Sequence, residues 1–281
     1  MNPSPSREPA REKVTVRTLR RMKREKRLIV CLTAYEALTA RMLDASGVDV
    51  ILVGDSAGMV MAGRKDTLGV TLEEMLHFTR WASQGVELAL LVTDMPFLTY
   101  QVNPDEAVRN AGRLMAEGGA EAVKLEGGKH IVGTIKRLVS AGMPVMGHLG
   151  LTPQSINVFG GYMLQAVSDE EQKRLIEDAR LLEEAGCFSI VLEKIPAGAA
   201  EEVTAAVEIP TIGIGAGNGC DGQILVTQDM LGLFTEFRPR FVRRYANIAE
   251  DIISAVSRYV EDVRSGSFPG PDESYDGREG Q

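Results

Sequence analysis

The sequence of 281 residues contains only three cysteines, which lie far apart, and it has no Cys-x-x-Cys pair. Cysteines in this number and spacing exclude a disulfide framework and a structural zinc site. We expect Cys31, Cys187 and Cys220 to be buried, inert thiols of a protein in the reducing cytoplasm. The sequence also lacks an apolar run of ~18 residues and an N-terminal apolar segment of the signal-peptide type, so it predicts neither membrane contact nor secretion.

Positive charge is scarce outside the N-terminus. The chain has a net charge of −8, but residues 1–27 hold ten Lys and Arg against three Glu, which leaves −15 for the remainder. A body this acidic excludes nucleic acid as a partner. The basic stretch from Arg17 to Arg27 has no interleaved aromatic residue. We therefore interpret it as the solvated face of a helix before the first strand rather than as a nucleic-acid-binding arm.

Between its ends the chain alternates short apolar runs with amphipathic helical patterns. The runs are too short and too uniformly apolar for surface helices and are typical of strands buried on both faces. About eight strand–helix repeats in roughly 240 residues predict an α/β fold of the (β/α)8 TIM-barrel type, with an open doubly wound sheet as the alternative. The predicted strands are Leu28–Leu32, Val48–Val53, Leu88–Val92, Ala122–Leu125, Pro144–Met146, Ser189–Leu192, Thr211–Ile214 and Ile224–Val226.

Capping signals and composition set the expected boundaries. Asn103 followed by Pro104, and the capping-box spacing of Ser168 and Glu171, each predict the start of a helix. Apolar residues four apart predict a last helix over about Ile248–Val263. We expect a flexible N-terminal segment at 1–13, a single barrel domain with an N-terminal helical extension at 14–264, and a tail at 265–281 whose composition is that of a disordered segment.

Five consecutive strands carry an ionisable residue at their C-terminal ends. In a parallel barrel these ends meet at one rim, where the chemistry of such proteins lies. A single acidic residue after a strand is often only a helix cap, but five such positions in succession favour a functional site. The residues at these ends are Asp55 with Ser56 after it, Asp94, Lys124 with Glu126, His148 and Glu193.

The types of these residues point to a hard cation. Asp55, Asp94 and Glu126 offer oxygen ligands without cysteine, which suits Mg²⁺ better than Zn²⁺. Lys124 and Glu126 lie two apart on one strand and therefore point to the same side, either as pocket residues or as a structural ion pair. His148 is either a buried, hydrogen-bonded histidine or an accessory residue of the site.

The glycines of the stretch 217–222 fit the pattern G-x-G-x-x-G after a strand. The stretch is not in the first strand–helix unit, and no acidic residue follows at about 20 positions, so a dinucleotide site is not indicated. We interpret Gly213, Gly215, Gly217 and Gly219 as a tight, close-packed loop at the rim of the pocket.

Long motifs surround the strand ends. They are Leu32–Tyr35, Val53–Val60, Asp94–Phe97, Val123–Gly128, Gly147–Ser155, Val191–Glu193, Ile212–Gly217 and Asp221–Val226. With these motifs in this order, the sequence resembles the ketopantoate hydroxymethyltransferase family over about residues 14–270.

The resemblance implies a barrel enzyme that uses Mg²⁺ to transfer a hydroxymethyl group from 5,10-methylenetetrahydrofolate to 3-methyl-2-oxobutanoate. This is the first step of pantothenate and coenzyme A biosynthesis. The resemblance also implies a homodecamer built as a pentamer of dimers. The implied roles are metal and substrate binding by Asp55 and Asp94, a place in the metal's shell for Glu126, substrate contacts by Ser56 and Lys124, and proton acceptance by Glu193.

The sequence departs from the family pattern in the loop after Asp55, where Arg64-Lys65-Asp66 and Gly69 replace a less basic stretch and a proline. Two other classes of protein share the expected fold. One is another Mg²⁺-dependent enzyme of α-keto acids, such as a carbon–carbon lyase or a phosphonomutase. The other is a non-catalytic barrel that serves as a scaffold. The cysteine loop of the lyases is absent, and a scaffold does not need so many ionisable residues at one rim.

Overall fold

Eight parallel strands form a closed barrel in the computed structural model, which describes residues 11–275. Each strand pairs with the next one in the chain, and the last pairs with the first. The predicted barrel is confirmed, and every predicted strand overlaps an observed one. The strands are β1 (Ile29–Thr33), β2 (Val50–Val53), β3 (Leu90–Asp94), β4 (Ala122–Glu126), β5 (Val145–Gly150), β6 (Ser189–Glu193), β7 (Thr211–Ile214) and β8 (Gly222–Leu225).

The helices of residues 11–275 begin where the sequence places capping residues. Asn103 accepts a hydrogen bond from Glu106 N at 2.9 Å, and Ser168 forms a capping box with Glu171. None of the helices in the described range is long and apolar enough to cross a membrane. The helices are α1 (Val16–Arg24), α2 (Ala37–Ala45), α3 (Ala57–Val60), α4 (Leu72–Ser83), α5 (Pro104–Ala116), α6 (Val132–Ser140), α7 (Ile156–Phe159), α8 (Asp169–Glu184), α9 (Ala197–Ala206), α10 (Thr227–Met230) and α11 (Ile248–Ser265).

The interior of the barrel is apolar towards the N-terminal ends of the strands and polar at their C-terminal ends. Alternate strand positions point inward, so Leu90 and Val92 of β3 belong to the core, together with Leu19 and Met22 of α1. Helix α1 therefore closes the N-terminal end of the barrel with the apolar face of the basic stretch. The next inward position of β3 is Asp94, which begins a polar layer at the C-terminal mouth.

The N-terminal residues that the structure describes are bound to the barrel. Arg11 and Lys13 fall within the segment expected to be flexible, but Arg11 Nη1 donates to Asp44 O at 2.6 Å and Lys13 Nζ contacts Glu121 Oε2 at 2.7 Å. The acceptors lie far away in the sequence, so composition gives no signal of these contacts. The rest of that segment, residues 1–10, lies outside the described residues.

Residues 215–221 connect β7 to β8 without a helix, so the strand–helix repeat is incomplete here. A connection of seven residues is too short for the usual helical crossover. Gly215 and Gly217 adopt φ values of +63° and +76°, and Gln223 Nε2 donates to Gly217 O at 2.9 Å. Strand β8 begins at Gly222, two residues earlier than predicted, and a Cβ at this position would collide with the β1 backbone. Gly215, Gly217 and Gly219 lie in the tight connection as predicted, whereas Gly213 belongs to β7.

The chain divides after Thr227 into the barrel unit and a C-terminal unit. In the C-terminal unit, α11 extends two residues beyond its predicted end and stops at Gly266, which has a φ of +76°. Residues 266–275 were expected to be disordered from their composition, but they follow a defined course. The rings of Tyr259 and Phe268 lie 5.4 Å apart. The remainder, 276–281, lies outside the described residues.

Candidate active site

The C-terminal ends of β3 to β6 and the loop after β2 bring ionisable side chains together at the mouth of the barrel. Register pairs Asp94 with Lys124 and Glu126 with His148 on neighbouring strands. Glu193 ends β6, and its side chain is 16% exposed. The buried side chains of the cluster, none more than 6% exposed, are Asp55, Asp94, Lys124, Glu126 and His148.

The Lys124 ammonium lies at the centre of the cluster. Its Nζ is 3.0 Å from Asp94 Oδ1, 3.8 Å from Glu126 Oε1 and 3.2 Å from His148 Nδ1. Burial alone would lower the pKa of Lys124, but the Asp94 and Glu126 carboxylates outweigh it and raise that pKa. Lys124 is therefore a permanent positive charge in the pocket, on the same side of β4 as Glu126.

His148 lies between two carboxylates. Its Nδ1 is 3.2 Å from Glu126 Oε1, and its Nε2 is 3.3 Å from Glu193 Oε2. Burial and the nearby Lys124 lower the pKa of His148, whereas Glu126 and Glu193 raise it, with a net pKa of about 9. The imidazole therefore connects the acid of β4 to the acid of β6.

Asp55 and Asp94 face each other across the ends of β2 and β3. Asp94 Oδ2 accepts a hydrogen bond from Asp55 N at 3.0 Å, and Asp55 Oδ2 accepts one from Gln154 Nε2 at 2.9 Å. Burial raises the pKa of Asp55 well above its usual range, and the charges of Asp94 and Glu126 raise it further. Burial also raises the pKa of Asp94, with Lys124 opposing. A cation bound beside these two carboxylates would favour the ionised form of both.

The residues of the pocket fit a divalent cation. The cluster contains four carboxyl groups, from Asp55, Asp94, Glu126 and Glu193, against two groups that can carry positive charge, Lys124 and His148. The free donor atoms are oxygens, which suits Mg²⁺. Among residues 11–275, no three His, Cys, Asp or Glu side chains are arranged to hold a metal ion. A cation bound by Asp55 and Asp94 would thus take its other ligands from substrate and water, as Mg²⁺ commonly does.

Glu126 is committed to other partners. Its Oε1 faces His148 and Lys124, and its Oε2 accepts a hydrogen bond from Gln154 N at 2.9 Å. Burial raises the pKa of Glu126, but His148 and Lys124 more than offset it, so that the pKa is lowered overall. Glu126 is therefore an ionised group beside the Asp55–Asp94 pair, and its expected place in the metal's shell stays a prediction.

The Ser56 hydroxyl is held at the rim of the pocket by a buried tyrosine. Tyr35 Oη and Ser56 Oγ form a hydrogen bond of 2.9 Å. Burial raises the pKa of Tyr35, so this hydroxyl is a neutral hydrogen-bonding group. Ser56 precedes α3 and makes no side-chain cap, which leaves its hydroxyl available to a ligand.

Sequence reasoning missed two buried polar side chains of the site. Gln154 is 6% exposed and Tyr100 is 1% exposed, and Tyr100 Oη lies 2.8 Å from Gln154 Oε1. Neither residue ends a strand, because Tyr100 lies in the loop after β3 and Gln154 in the short 3₁₀ turn Pro153–Ser155 after β5. The signal that was present is the polar residue after Pro153 in the motif Gly147–Ser155, of which only His148 received a role.

The loop after Ser56 contains the basic stretch that departs from the family pattern. The Arg64 guanidinium donates to both carboxylate oxygens of Glu74 and, at 3.0 Å, to Gly69 O. The bond from Arg64 lowers the pKa of Glu74 to about 2, with burial opposing and Thr71 contributing. Arg64 therefore holds this loop against the start of α4.

A closed barrel of parallel strands with a buried, charge-paired layer at its C-terminal mouth defines a TIM-barrel enzyme. Sequence comparison identifies the family within this class. The family model of ketopantoate hydroxymethyltransferase matches residues 13–271, and the chain belongs to that family. The resemblance predicted from the motifs is confirmed.

Curated relatives carry the name 3-methyl-2-oxobutanoate hydroxymethyltransferase. The one from Prosthecochloris aestuarii is 58% identical over 266 residues, which cover 93% of this chain and 96% of the relative. The one from Syntrophus aciditrophicus is 51% identical and is covered to 97%, with 94% of this chain aligned. The family match therefore extends over nearly the whole of both chains.

Solved structures of low sequence identity share the fold. Phosphonopyruvate hydrolase in complex with oxalate and Mg²⁺ aligns with a TM-score of 0.58 at 15% identity, over 92% of this chain and 93% of that one. The 2,3-dimethylmalate lyase of the PEP mutase/isocitrate lyase superfamily aligns with a TM-score of 0.58 at 16% identity, over 93% and 91% of the two chains. At such identities the likeness shows the barrel alone.

Proposed function

We propose that this enzyme transfers a hydroxymethyl group from 5,10-methylenetetrahydrofolate to 3-methyl-2-oxobutanoate with Mg²⁺ as cofactor, giving 2-dehydropantoate and tetrahydrofolate. The observation that carries the proposal is the buried pairing of Lys124 with Asp94 beside Asp55, in a chain of the ketopantoate hydroxymethyltransferase family. The reaction is the first step of pantothenate and coenzyme A biosynthesis. Three unpaired, buried cysteines suit a cytoplasmic enzyme.

In this proposal the substrate binds between the acidic pair and Lys124. Asp55 and Asp94 would hold the cation, which would supply Lewis acidity for the keto group of the substrate. The Lys124 ammonium offsets the charge of the substrate carboxylate, and the Ser56 hydroxyl donates a hydrogen bond to it. Because Tyr35 and Asp94 hold these groups in place before the substrate arrives, little ordering is needed on binding.

Glu193 removes the proton from the carbon beside the ketone. This carbon is a weak acid, so its proton needs a general base within hydrogen-bond reach. Glu193 comes from β6, away from the strands that supply Asp55 and Asp94, and its Oε2 is 3.3 Å from His148 Nε2. His148 Nε2, at this distance, orients the Glu193 carboxylate. His148 in turn is fixed by Glu126.

The remaining steps transfer the carbon unit. The C–H electron pair remains on the substrate as an enolate, which attacks the methylene carbon as one of its two bonds to folate nitrogen breaks, and that nitrogen takes the proton removed from the substrate. Water then replaces the second folate nitrogen on this carbon, giving the hydroxyl group, and its other proton goes to the departing nitrogen. The atoms balance as keto acid, methylenetetrahydrofolate and water giving 2-dehydropantoate and tetrahydrofolate.

Turnover of 3-methyl-2-oxobutanoate with methylenetetrahydrofolate tests the proposed function. We expect 2-dehydropantoate to form only when both substrates and Mg²⁺ are present, as measured by mass spectrometry. Phosphonopyruvate and 2,3-dimethylmalate serve as competing substrates in parallel reactions. Cleavage of either one without hydroxymethyl transfer would support a phosphonomutase-like or lyase activity instead. No reaction with any of the three would support a non-catalytic barrel.

We also propose that the chain forms a homo-oligomer. The expected state is a homodecamer built as a pentamer of dimers. Helix α11 contains no buried residue, and Ile252 and Val256 on its apolar stripe are 47% and 54% exposed. A single helix of this length is marginal in water when its apolar stripe is uncovered.

Light scattering at micromolar concentration is therefore expected to give the mass of an assembly. Changing Ile252 and Val256 together to Asp should lower that mass, because a charge cannot be buried cheaply in an apolar contact. Ser257→Asp on the same helix is the matched control and should leave the mass unchanged. The mass of a single chain for the unmodified protein would contradict this proposal.

A further inference from the structure

Gln154 uses all the hydrogen-bonding capacity of its side-chain amide inside the pocket. Its Nε2 donates to Asp55 Oδ2 and to Met95 O, both at 2.9 Å. Its Oε1 accepts from Tyr100 Oη at 2.8 Å and from Gln101 Nε2 at 3.2 Å. Two donors and two acceptor positions are the complete set for a glutamine amide.

The surroundings of Gln154 allow one orientation of its amide. The Met95 carbonyl and the Asp55 carboxylate are acceptors, so a flipped amide would direct its oxygen at two acceptors. Gln154 N also donates to Glu126 Oε2 at 2.9 Å. One residue after β5 thus connects the C-terminal ends of β2, β3 and β4.

The hydrogen bond from Gln154 gives the two carboxylate oxygens of Asp55 different surroundings. Asp55 Oδ2 is occupied by the amide, whereas none of the side-chain hydrogen bonds within the described range 11–275 is donated to Asp55 Oδ1. Because Asp55 is 4% exposed, rotation of its carboxylate would leave Oδ2 without a donor in a desolvated place. The carboxylate is therefore locked with Oδ1 as its available oxygen.

We infer that Gln154 is a positioning residue that presents Asp55 to a divalent cation through the single oxygen Oδ1. The inference rests on the proposed function for the identity of the cation. It adds Gln154 as the residue that fixes which oxygen of Asp55 can bind the cation. Groups that hold the first ligands of a metal typically change its affinity by about 10–100-fold when they are removed. A purely structural glutamine would instead change only the stability of the fold.

Mn²⁺ added alone to the purified chain tests this inference, with free Mn²⁺ measured by electron paramagnetic resonance. Gln154→Met keeps the length of the side chain and removes both hydrogen-bonding ends, and we expect it to raise the Kd for Mn²⁺ by about 10–100-fold. Gln154→Asn keeps the amide but shortens its reach, and it serves if Gln154→Met does not fold. Gln101→Met is the matched control, because Gln101 contacts the same Gln154 oxygen but not Asp55.

A kinetic measurement separates positioning from fold stability. In Gln154→Met the Mg²⁺ concentration needed for half-maximal rate should rise, while kcat at saturating Mg²⁺ stays close to that of the unmodified enzyme. An unchanged Kd for Mn²⁺ in folded Gln154→Met or Gln154→Asn would overturn the inference, as would a lack of Mn²⁺ binding by the unmodified chain. Failure of the unmodified enzyme to form 2-dehydropantoate would overturn the proposed function alone, since Mn²⁺ binding is measured without turnover.

Discussion

Glu193→Gln is expected to slow exchange of the substrate's β-hydrogen with deuterated water by about 10²–10⁴-fold, the usual worth of a positioned general base. Enolisation needs no folate, so exchange with only Mg²⁺ and 3-methyl-2-oxobutanoate present isolates the proton transfer. Glutamine keeps the shape of Glu193 and can still accept a hydrogen bond from His148 Nε2, but it cannot take up a proton. Exchange is followed by NMR and binding by calorimetry, and binding should be retained.

The control for this experiment is Glu202→Gln, a change to an exposed residue of α9 that should leave exchange unaltered. A near-normal exchange rate in Glu193→Gln would remove Glu193 from the role of base. The imidazole of His148, which lies between Glu126 and Glu193, would then be the next group to test.

Asp94→Asn should weaken the binding of Mg²⁺ and of the keto acid together. Asparagine can still accept the hydrogen bond from Asp55 N, but it removes the charge that lies 3.0 Å from Lys124 Nζ and the oxygen ligand of the cation. We expect the loss of Mg²⁺ affinity to exceed the about 10–100-fold that removal of an outer-shell partner costs. Calorimetric titration of Mg²⁺, with and without the keto acid, measures both effects.

Asp105→Asn provides the matched control, because Asp105 pairs with Arg137 on the exposed surface at 3.0 Å. Thermal unfolding of both variants checks that the fold is intact, since Lys124 in Asp94→Asn keeps Glu126 as a partner. Unchanged Mg²⁺ affinity in Asp94→Asn would place the cation away from the Asp55–Asp94 pair. Loss of keto-acid binding with normal Mg²⁺ affinity would make Asp94 a substrate ligand only.

The barrel was predictable because its strands are buried on both faces. All residues of β2, β3 and β4 are buried, and most of them are apolar, without the polar face that a surface helix would show. The period of two also placed Lys124 and Glu126 on one side of β4, and their distance of 3.8 Å agrees with that placement. Sequence periodicity therefore predicts those residues of the site that lie at strand ends.

Side chains supplied by loops were beyond the reach of periodicity. Gln154 and Tyr100 enter the pocket through tertiary contacts, and 54 residues separate them in the chain. Local patterns carry no information about such contacts. The same limit applies to Arg11 and Lys13, whose partners Asp44 and Glu121 lie far along the sequence. Of these residues only Gln154 lies within the family motifs, which contain it without explaining it.

The central claim is that a cation held by Asp55 and Asp94 allows this enzyme to form an enolate from a small keto acid. Exchange of the β-hydrogen of 3-methyl-2-oxobutanoate by the unmodified enzyme, without folate, tests it most directly. The account predicts rapid exchange with Mg²⁺ present, loss of exchange when the metal is removed with a chelator, and recovery when Mg²⁺ is restored. Exchange that is absent with Mg²⁺, or that continues unchanged after the metal has been removed, would contradict the account.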